Sequence, residues 1–429
     1  MKIHEHFFFK NYYAKHGLIS LFGRVLSLPS AILFNILLAR ILSPADYGVI
    51  GIVTQMIAFC LIFSMFGYRN IILKNTPIFL RTKDYNKLGN IISQSIITTT
   101  AISFLLYLIL NLFSHKISSL YSIEKLKLVI PIFSVCLIFQ TLNMNLAALL
   151  VAVKKVWQSN ICERTIMNLF YVLTLIILTK TNFYFTLLNI SYIYLIGKIL
   201  TFISLFYFSY PIIRKIDFLH LKIKFENYLR LSFFFSSSEL TLKIVTSVSP
   251  LIIGFFVDSE QIAYYYTAFL LANLASFFIA MINNLVANKI AVLYGDSDFY
   301  SILKLNKNIV KVLSLFSIIV TLAYLFFGKF ILSFWGTLYV EHSYLLLLIL
   351  VFGEFINSLG GATGLIISIC DMERSGFIII LISAIINILL QIVLINFFGI
   401  LGAAIATSFS VILYNFLKYY IVLKKFNKT

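Results

Sequence analysis

Five of the ionisable side chains inside long apolar runs of this sequence are its candidates for chemistry. They are Arg24, Lys198, Glu239, Lys243 and Glu354. A charged side chain that faces lipid at mid-bilayer costs at least about 2.5–3.5 kcal/mol, so such a group usually faces a partner or a polar cavity. In a cavity, a fixed cation can hold an anionic ligand, and a carboxylate can take up a proton or a sodium ion.

For most of these residues a structural interpretation stays open beside the functional one. Glu239 and Lys243 are four residues apart in the favourable order for a helical ion pair, so they could simply neutralise each other and let the helix insert. Lys198 could line a cavity or lie on a peripheral helix. Glu354 could line a cavity or be a carboxyl group satisfied by hydrogen bonds between helices.

Metal, cofactor and hydrolytic chemistry are not indicated by the remaining reactive side chains. The cysteines follow no metal-ligand spacing and the histidines lie near the ends of apolar runs or between them, without a Ser-His-Asp set. No glycine-rich phosphate loop occurs either. We therefore expect no metal, no cofactor and no ATPase cassette in this chain.

The composition indicates that these residues belong to a membrane protein and not to a soluble one. The chain has 429 residues, of which 61% are hydrophobic and 12% charged, with a mean hydropathy of +0.98. Soluble domains average about 25% charged residues. The net charge of +18 would suggest nucleic acid in a soluble protein. Here the basic residues flank apolar runs, so we expect contacts with anionic membrane lipid and no nucleic-acid partner.

The apolar runs predict an all-α polytopic membrane protein with twelve transmembrane helices. A spanning helix needs about 20 mostly apolar residues. Runs of this kind cover residues 17–42, 46–67, 89–114, 127–152, 164–180, 185–210, 229–257, 261–287, 308–332, 343–369, 376–398 and 400–422. Glycines in the tenth run, at 360, 361 and 364, could bend that helix or permit close packing.

The basic residues predict the orientation of these helices. Most of the 34 Lys and Arg residues fall at the two termini and in every second gap between runs. Cytoplasmic loops carry such an excess of positive charge. The gaps at 68–88, 153–163, 211–228, 288–307 and 370–375 are therefore predicted to be cytoplasmic. Twelve spans bring the C-terminus back to the side of the N-terminus, in agreement with the charges.

The two halves of the chain resemble each other at an offset of about 215 residues. The turn ARILSPADYG (39–48) corresponds to GFFVDSEQIAY (254–264), and FQTLNMNLAALLVA (139–152) to FINSLGGATGLIIS (355–368). In the first pair, Ser43 and Asp258 are each placed to cap the following helix. Such duplication with six helices per half predicts two parallel six-helix lobes. Arg24 and Glu239 fall at equivalent places in the two halves, which favours a cavity position for Arg24.

These patterns divide the chain into five segments. We predict an interfacial cytoplasmic segment over 1–16, a six-helix lobe over 17–210, a basic cytoplasmic linker over 211–228, a second six-helix lobe over 229–422 and a basic tail over 423–429.

Two segments resemble those of polysaccharide flippases in the multidrug/oligosaccharidyl-lipid/polysaccharide exporter superfamily. The first is LLARILSPADYGVIGIV, around the turn Ala39–Gly48, and the second is INFFGILGAAIATSFSVIL, over Ile395–Leu413. The length, the twelve spans and the six-plus-six repeat are also similar, so that the resemblance covers essentially the whole chain. It implies two lobes around a central cavity that opens alternately to either side of the membrane.

The resemblance also implies a substrate. Polysaccharide members of the superfamily move undecaprenyl-pyrophosphate-linked oligosaccharides, such as O-antigen or capsule repeat units, to the outer leaflet of the bacterial inner membrane. A polymerase and a chain-length regulator are then expected partners. Arg24 matches the cavity cation that is thought to hold the pyrophosphate in such proteins. Lys243 and Lys198 are further pyrophosphate candidates from their positions, and Glu239 and Glu354 are candidates for ion coupling.

Other classes of protein stay open at this stage. A multidrug antiporter of the same superfamily fits the same architecture. A membrane-bound polysaccharide polymerase or ligase fits less well, because such enzymes usually carry a long extracytoplasmic loop with Arg and His, and the predicted outer gaps are short. A lipid II flippase would be expected to have fourteen spans.

Overall fold

The computed structural model describes residues 27–181, 183–216 and 248–426, and within these ranges it is built of helices without strands. Three of the candidate residues, Arg24, Glu239 and Lys243, lie outside the described residues. The predicted interfacial segment 1–16 and most of the linker 211–228 also lie outside them.

The first half of the described chain forms nine α-helices. They are α1 (Ser27–Ile41), α2 (Pro44–Met65), α3 (Tyr68–Arg81), α4 (Tyr85–Leu112), α5 (Ser114–Leu120), α6 (Leu126–Ala152), α7 (Val156–Asn160), α8 (Met167–Lys180) and α9 (Leu187–Ile213). A π-helical turn, Ile161–Ile166, joins α7 to α8, so that these three pieces form one apolar rod.

The second half forms eight more. They are α10 (Ser249–Ile253), α11 (Ser259–Ala272), α12 (Leu274–Gly295), α13 (Phe299–Ser333), α14 (Thr337–Leu359), α15 (Thr363–Ile369), α16 (Glu373–Phe398) and α17 (Ile400–Phe426).

The prediction of an all-α polytopic membrane protein is confirmed. In the described part of the chain, nine helices are long and apolar enough to cross a membrane, or ten if the bent pair Phe278–Ala287 and Lys289–Gly295 is one span. Twelve spans are compatible with this number, because the first and seventh predicted runs lie partly outside the described ranges.

Several helix boundaries differ from the predicted runs. The gap 68–88 is not a loop but contains helix α3, which is amphipathic and carries its own Pro77. The tenth run is broken after Leu359, where Gly361 has a φ of +61° that side chains with a Cβ rarely adopt. The ninth run begins nine residues earlier than predicted, at Phe299, because Lys304 and Lys307 hid its helical continuation.

The predicted helix caps are confirmed at one turn and wrong in detail at the other. Ser43 Oγ accepts a hydrogen bond from the Asp46 amide at 3.2 Å, and Pro44 is the first residue of α2. Asp258 occupies the N-cap position of α11, but its side chain makes no capping hydrogen bond. Its carboxylate still carries charge of the favourable sign for the start of a helix.

The distribution of polar and apolar side chains is that of a membrane protein. Phenylalanines on the outside of α13 are widely exposed, with Phe326 at 73% and Phe330 at 64%, whereas Gln94, Thr141 and Gln391 are fully buried. Lipid tails solvate apolar side chains as well as a protein core does, so the outer surface can be apolar. The polar residues instead find hydrogen-bond partners inside the protein: Gln94 Nε2 donates to Asn90 on its own helix, and Gln391 Nε2 donates to Ser249 on another helix.

Contacts divide the described residues into two units. The first holds residues 27–42, 56–120 and 124–216, and the second holds residues 43–55, 121–123 and 248–426. The predicted lobe boundaries, 17–210 and 229–422, stay a prediction.

In each unit, the basic gaps meet at one end. In the first unit a single core packs Tyr68, Leu88, Leu149 and Ile216 together, which joins the gaps after α2, α6 and α9. In the second unit the rings of Phe299 and Phe426 stack at 5.1 Å, and Lys425 Nζ donates a hydrogen bond to the Cys370 carbonyl. The alternation of charge along the sequence therefore corresponds to a real grouping of loops in space.

Candidate functional site

The carboxylate of Glu354 lies half-buried in the second unit and is held by hydrogen bonds. Ser276 Oγ of α12 donates to Glu354 Oε2 at 2.5 Å, and Asn357 Nδ2 donates to the same oxygen at 3.0 Å. Glu354 and Asn357 are three residues apart on α14, so they face the same side of the helix. Glu354 is thus a carboxyl group held by hydrogen bonds between helices, which is the structural interpretation left open by the sequence. The residues around it determine whether it also has a functional role.

Helix α17 adds an amide and a lysine to this site. Asn415 Nδ2 donates to Asn357 Oδ1 at 2.9 Å and to its own helix at Val411 O, at 2.8 Å. Lys418, one turn further on, is only 8% exposed, and its Nζ lies 3.9 Å from the centre of the Tyr414 ring. Lys418 and Glu354 interact electrostatically without a direct salt bridge among the described residues. We call Ser276, Glu354, Asn357, Asn415 and Lys418 the Glu354 cluster.

Glycines at the break between α14 and α15 make room for this cluster. A Cβ on Gly360 would lie 2.9 Å from Asn415 Oδ1, and a Cβ on Gly364 would lie 3.8 Å from Lys418 Nζ. The absence of a side chain at Gly360 lets the polar face of α17 approach the α14 terminus, whereas a Cβ on Gly364 would make an ordinary contact. The predicted role of these glycines is therefore confirmed in both of its forms, as a helix break and as close packing.

The Glu354 cluster places a carboxylate beside hydroxyl and amide groups, and a carboxylate can bind a proton or a small cation. A void of about 10 Å³ adjoins Glu354 and is also bounded by Asn273 and Ser408. That is the lower limit for a single water-sized occupant. A proton or a sodium ion on the carboxylate would compete with Lys418 for the role of neutralising charge, because both act in the same low-dielectric surroundings.

Lys198 lies in the first unit. Its Nζ contacts the Met167 sulfur at 3.3 Å, and Asn143 Nδ2 donates to its backbone carbonyl at 3.0 Å. Glu163, in the π-helical turn, is near enough to interact with it electrostatically. A thioether is a weak acceptor, so the ammonium keeps most of its capacity to donate hydrogen bonds.

Lys418 and Asn415 were missed by the sequence interpretation. Lys418 lies four residues before the end of the predicted last span, 400–422, where a long side chain can reach the membrane interface. A signal was present, because Asn415 and Lys418 repeat the three-residue spacing of Glu354 and Asn357. Two polar pairs at that spacing on apolar helices indicate two polar faces that must meet each other.

The first segment that carries the superfamily resemblance has a structural role. A Cβ on Gly48 would lie 1.8 Å from the Ser259 carbonyl oxygen, so α2 and α11 cross at backbone distance. Tyr47 is fully buried, with its ring 5.8 Å from that of Tyr266 and 6.2 Å from that of Tyr339. These residues fix how helices pack in the second unit.

The second segment also builds the fold. Gly399, with a φ of +58°, ends α16, and a Cβ on Gly402 would lie 2.0 Å from the Leu394 carbonyl oxygen. Thr407 lies at the centre of a buried network, with its Oγ1 2.7 Å from Ser249 Oγ and 3.0 Å from Tyr265 OH. Both segments therefore serve helix packing, and they indicate the fold of the chain rather than its substrate.

Metal ligation finds no support in the part of the chain that the structure describes. No group of three or more His, Cys, Asp and Glu side chains is placed there to hold a metal ion. The cysteines are all free thiols, and three of them are buried.

The chain is similar to a known protein family. Residues 14–287 match the family described as "Polysaccharide biosynthesis protein". No curated protein sequence matches the chain significantly.

Solved structures with the same fold cover nearly the whole chain. An inward-facing multidrug resistance MATE family transporter of the MOP superfamily superposes with a TM-score of 0.82 at 11% identity, over 94% of this chain and 95% of that one. The lipid II flippase MurJ, in an inward closed conformation, gives 0.73 at 18% identity, over 97% and 89%. A mutant of the Vibrio cholerae MATE transporter VcmN gives 0.69 at 10% identity, over 97% and 96%.

Proposed function

Because the chain belongs to the polysaccharide biosynthesis protein family, we propose that it is a flippase that carries undecaprenyl-pyrophosphate-linked oligosaccharides to the outer leaflet of a bacterial inner membrane. The observation that carries this proposal is the match of that family over residues 14–287. The fold shared with MurJ supports it, since that protein is a flippase for lipid II. O-antigen or capsule repeat units are the proposed cargo.

The proposed mechanism is alternating access driven by an ion gradient. Glu354 takes up a proton or a sodium ion, and Lys418 neutralises the carboxylate when that ion is absent. Support comes from the hydrogen bonds that fix Glu354 and from the electrostatic contact with Lys418. Glu239, the other acidic candidate within a predicted span, is a second candidate for ion coupling.

The substrate's pyrophosphate is assigned to the cations. Arg24 is the first choice, because a guanidinium can bind a phosphate through two parallel hydrogen bonds. Lys243 and Lys198 are further candidates, and Lys198 retains unused donors beside Met167. A polymerase and a chain-length regulator are the proposed partners downstream, and both termini are proposed to be cytoplasmic.

Complementation tests the function itself. In a strain that lacks its own repeat-unit flippase, the wild-type chain should restore surface polysaccharide, and Arg24→Ala should not, while Arg24→Lys should restore part of it. Membrane levels of each variant serve as the control. Full surface polysaccharide with Arg24→Ala would refute the assignment of the pyrophosphate, and no restoration by the wild-type chain would count against the cargo.

A reconstituted assay tests the coupling. In proteoliposomes with an imposed pH or sodium gradient, Glu354→Gln should abolish the dependence of flipping on the gradient, and Glu354→Asp should retain it in part. If Glu354→Gln transports with an unchanged dependence on both gradients, Glu354 is not the coupling residue. The same pair of substitutions at Glu239 separates the two candidates.

One structural observation favours a second function. The multidrug MATE transporter superposes with a TM-score of 0.82, so export of small cationic compounds is the alternative. Expression in a strain that lacks its own drug exporters should leave its drug resistance unchanged if the chain is a polysaccharide flippase. A rise in resistance without restoration of polysaccharide would favour the antiporter.

A further inference from the structure

A groove of about 810 Å³ opens on the second unit between α13 and α17, with the end of α14 at its base. The start of α13 and the end of α17 meet at one end of the unit, where Phe299 stacks on Phe426 and Tyr294 OH donates to Asp371 at 2.8 Å. The groove therefore lies toward the end at which the basic loops of this unit meet. Asn415 is the member of the Glu354 cluster that lines the groove, and Lys198 is not among its lining residues.

One wall of the groove carries three lysines. Lys304, Lys307 and Lys311 are spaced three and four residues apart on α13, so they share one face of the helix over about 10 Å. All three are exposed, and none forms a salt bridge within the described part of the chain. Asn308 lies beside them, and no acidic residue is among the groove-lining residues. The electrostatic character of this wall is thus purely cationic.

The other wall is apolar and aromatic. Its apolar lining residues include Ile356 and Leu359 of α14 and Ile412 and Phe416 of α17, and Phe416 is 67% exposed. Tyrosines lie among the lining residues toward the charged end, as is common where a protein surface meets the headgroup layer. The groove thus combines a cationic region with an apolar channel.

Helix length places the lysines at the membrane surface. The stretch from Val312 to Ser333 rises about 33 Å at 1.5 Å per residue, which matches a hydrocarbon core of about 30 Å. The lysine-bearing turns that precede Val312 therefore reach the headgroup layer, while Ile412 and Phe416 adjoin the acyl chains.

We propose that this groove binds an anionic phospholipid of the surrounding bilayer, with its phosphate on Lys304, Lys307 and Lys311 and an acyl chain along Ile412 and Phe416. Basic pockets between transmembrane helices on the cytoplasmic side hold anionic lipid headgroups. Charge complementarity and the adjoining apolar wall select such a lipid over a zwitterionic one or a free anion. The proposal does not depend on what the protein transports.

The bound lipid would also touch the Glu354 cluster. Asn415 lines the groove and donates to Asn357, which in turn donates to Glu354. Gly360, at the α14 terminus, lines the groove as well. A lipid in the groove therefore packs against the break between α14 and α15 and stabilises its present arrangement.

Native mass spectrometry of the full-length protein in detergent tests the proposal. Phosphatidylglycerol is titrated against the wild-type chain, against Lys304→Gln/Lys307→Gln/Lys311→Gln, and against a control, Lys74→Gln/Arg81→Gln/Lys83→Gln. The control removes three exposed cations at the basic end of the first unit. Each lysine near an anionic surface contributes about 1 kcal/mol, so the groove variant should bind at least about tenfold more weakly, and the control should change less than about twofold.

Two further arms separate the apolar contribution and the identity of the ligand. Ile412→Trp fills the channel with all lysines retained and should also weaken phosphatidylglycerol binding. Phosphatidylethanolamine with the same chains, and inorganic pyrophosphate alone, should bind the wild-type chain far more weakly. Equal losses in both triple variants, or equal binding of phosphatidylethanolamine, would overturn the proposal. Displacement of phosphatidylglycerol by an isoprenyl pyrophosphate at much lower concentration would assign the groove to the transported lipid instead.

Discussion

At the scale of single residues, the Glu354 cluster is a balance between two charges that are costly to bury alone. Lys418 is almost fully buried against Tyr414, and Glu354 is held by Ser276 and Asn357. Removing one partner of a buried charge pair leaves the other uncompensated, which costs more than the pair itself contributes. The two residues should therefore depend on each other in both stability and transport.

A double-mutant cycle measures that dependence. Lys418→Met and Glu354→Gln should each lower the midpoint of thermal unfolding in detergent, and the double variant should be more stable than the sum of the two losses implies. Residues in one polar network typically show couplings of about 0.5–3 kcal/mol. Lys329→Met, near the far end of α13, is the matched control and should show no coupling with Glu354→Gln. Strict additivity at Lys418 would mean that the two charges do not interact.

The sequence predicted only one side of this balance. Glu354 stood out because it is an acid within an apolar run. Lys418 lies within the predicted last span as well. Its position near the end of an apolar run does not show how deep its ammonium group lies in the membrane, since a long side chain can snorkel to the interface. Only packing shows that Tyr414 and the position of Gly364 hold its ammonium inside. Arg24 and Glu239, paired by the repeat, remain a prediction.

At the scale of helices, the break after α14 depends on Gly361. Its φ of +61° costs a residue with a Cβ about 1–2 kcal/mol. An added Cβ would also lie 2.6 Å from Asn306 Oδ1, which accepts a hydrogen bond from the Ala362 amide at 2.8 Å. Gly361→Ala should therefore lower the thermal midpoint of the protein in detergent. Gly295→Ala is the control, since nothing lies within 4 Å of the added atom, and it should be neutral or stabilising. Equal midpoints for the two variants would contradict this account.

The start of α13 is a second place where one side chain sets a helix boundary. The Asp298 carboxylate accepts a hydrogen bond from the Ser301 amide at 2.9 Å, and hydrogen bonding by the Ser301 side chain and then by this amide lowers the pKa of Asp298. A lowered pKa in the folded state means that the stabilisation is present above the unfolded pKa of about 3.9 and is lost as the pH falls through the folded value. Hydrogen exchange at the Ser301 amide should therefore become less protected below about pH 4.

Two variants at this cap make the pH effect specific. Asp298→Asn keeps an acceptor at the N-cap and should remove the pH dependence while retaining much of the protection. Asp298→Ala should lose the protection at all pH values. A pH profile in Asp298→Asn identical to that of the wild-type chain would show that another group is responsible.

Helix existence was predictable from hydropathy, but helix boundaries were not. Helix α3 was missed because its apolar face is too short to span a membrane, and α13 extends nine residues beyond its run because lysines interrupt hydropathy without interrupting backbone hydrogen bonds. Helix ends depend instead on single contacts, such as that between Ser43 and Asp46. Capping patterns predicted this contact correctly, but they do not show whether the side chain of Asp258 turns toward its helix.

At the scale of the whole molecule, charge patterning predicted which loops share an end of each unit. The segments that follow α2, α6 and α9 share one hydrophobic core in the first unit. In the second unit, the loops before α13 and α16 meet the C-terminal end of α17. Packing shows that these loops are together but does not show which side of the membrane they face. The positive-inside rule assigns them to the cytoplasm, because Lys and Arg are retained there during insertion.

Cysteine accessibility tests that assignment in intact cells. In a background without the native cysteines, exposed positions at the basic ends, Arg81→Cys and Asp296→Cys, should react with a membrane-impermeant maleimide only after the membrane is opened. Exposed positions at the opposite ends, Tyr184→Cys and Glu341→Cys, should react at once. Because Asp296 precedes α13 and Glu341 follows it, the two sites in the second unit must give opposite results if α13 crosses the membrane. The reverse pattern at all four sites would mean that the basic loops face outward and that the proposed direction of transport is inverted. Labelling of intact cells at both Asp296→Cys and Glu341→Cys would contradict a transmembrane α13.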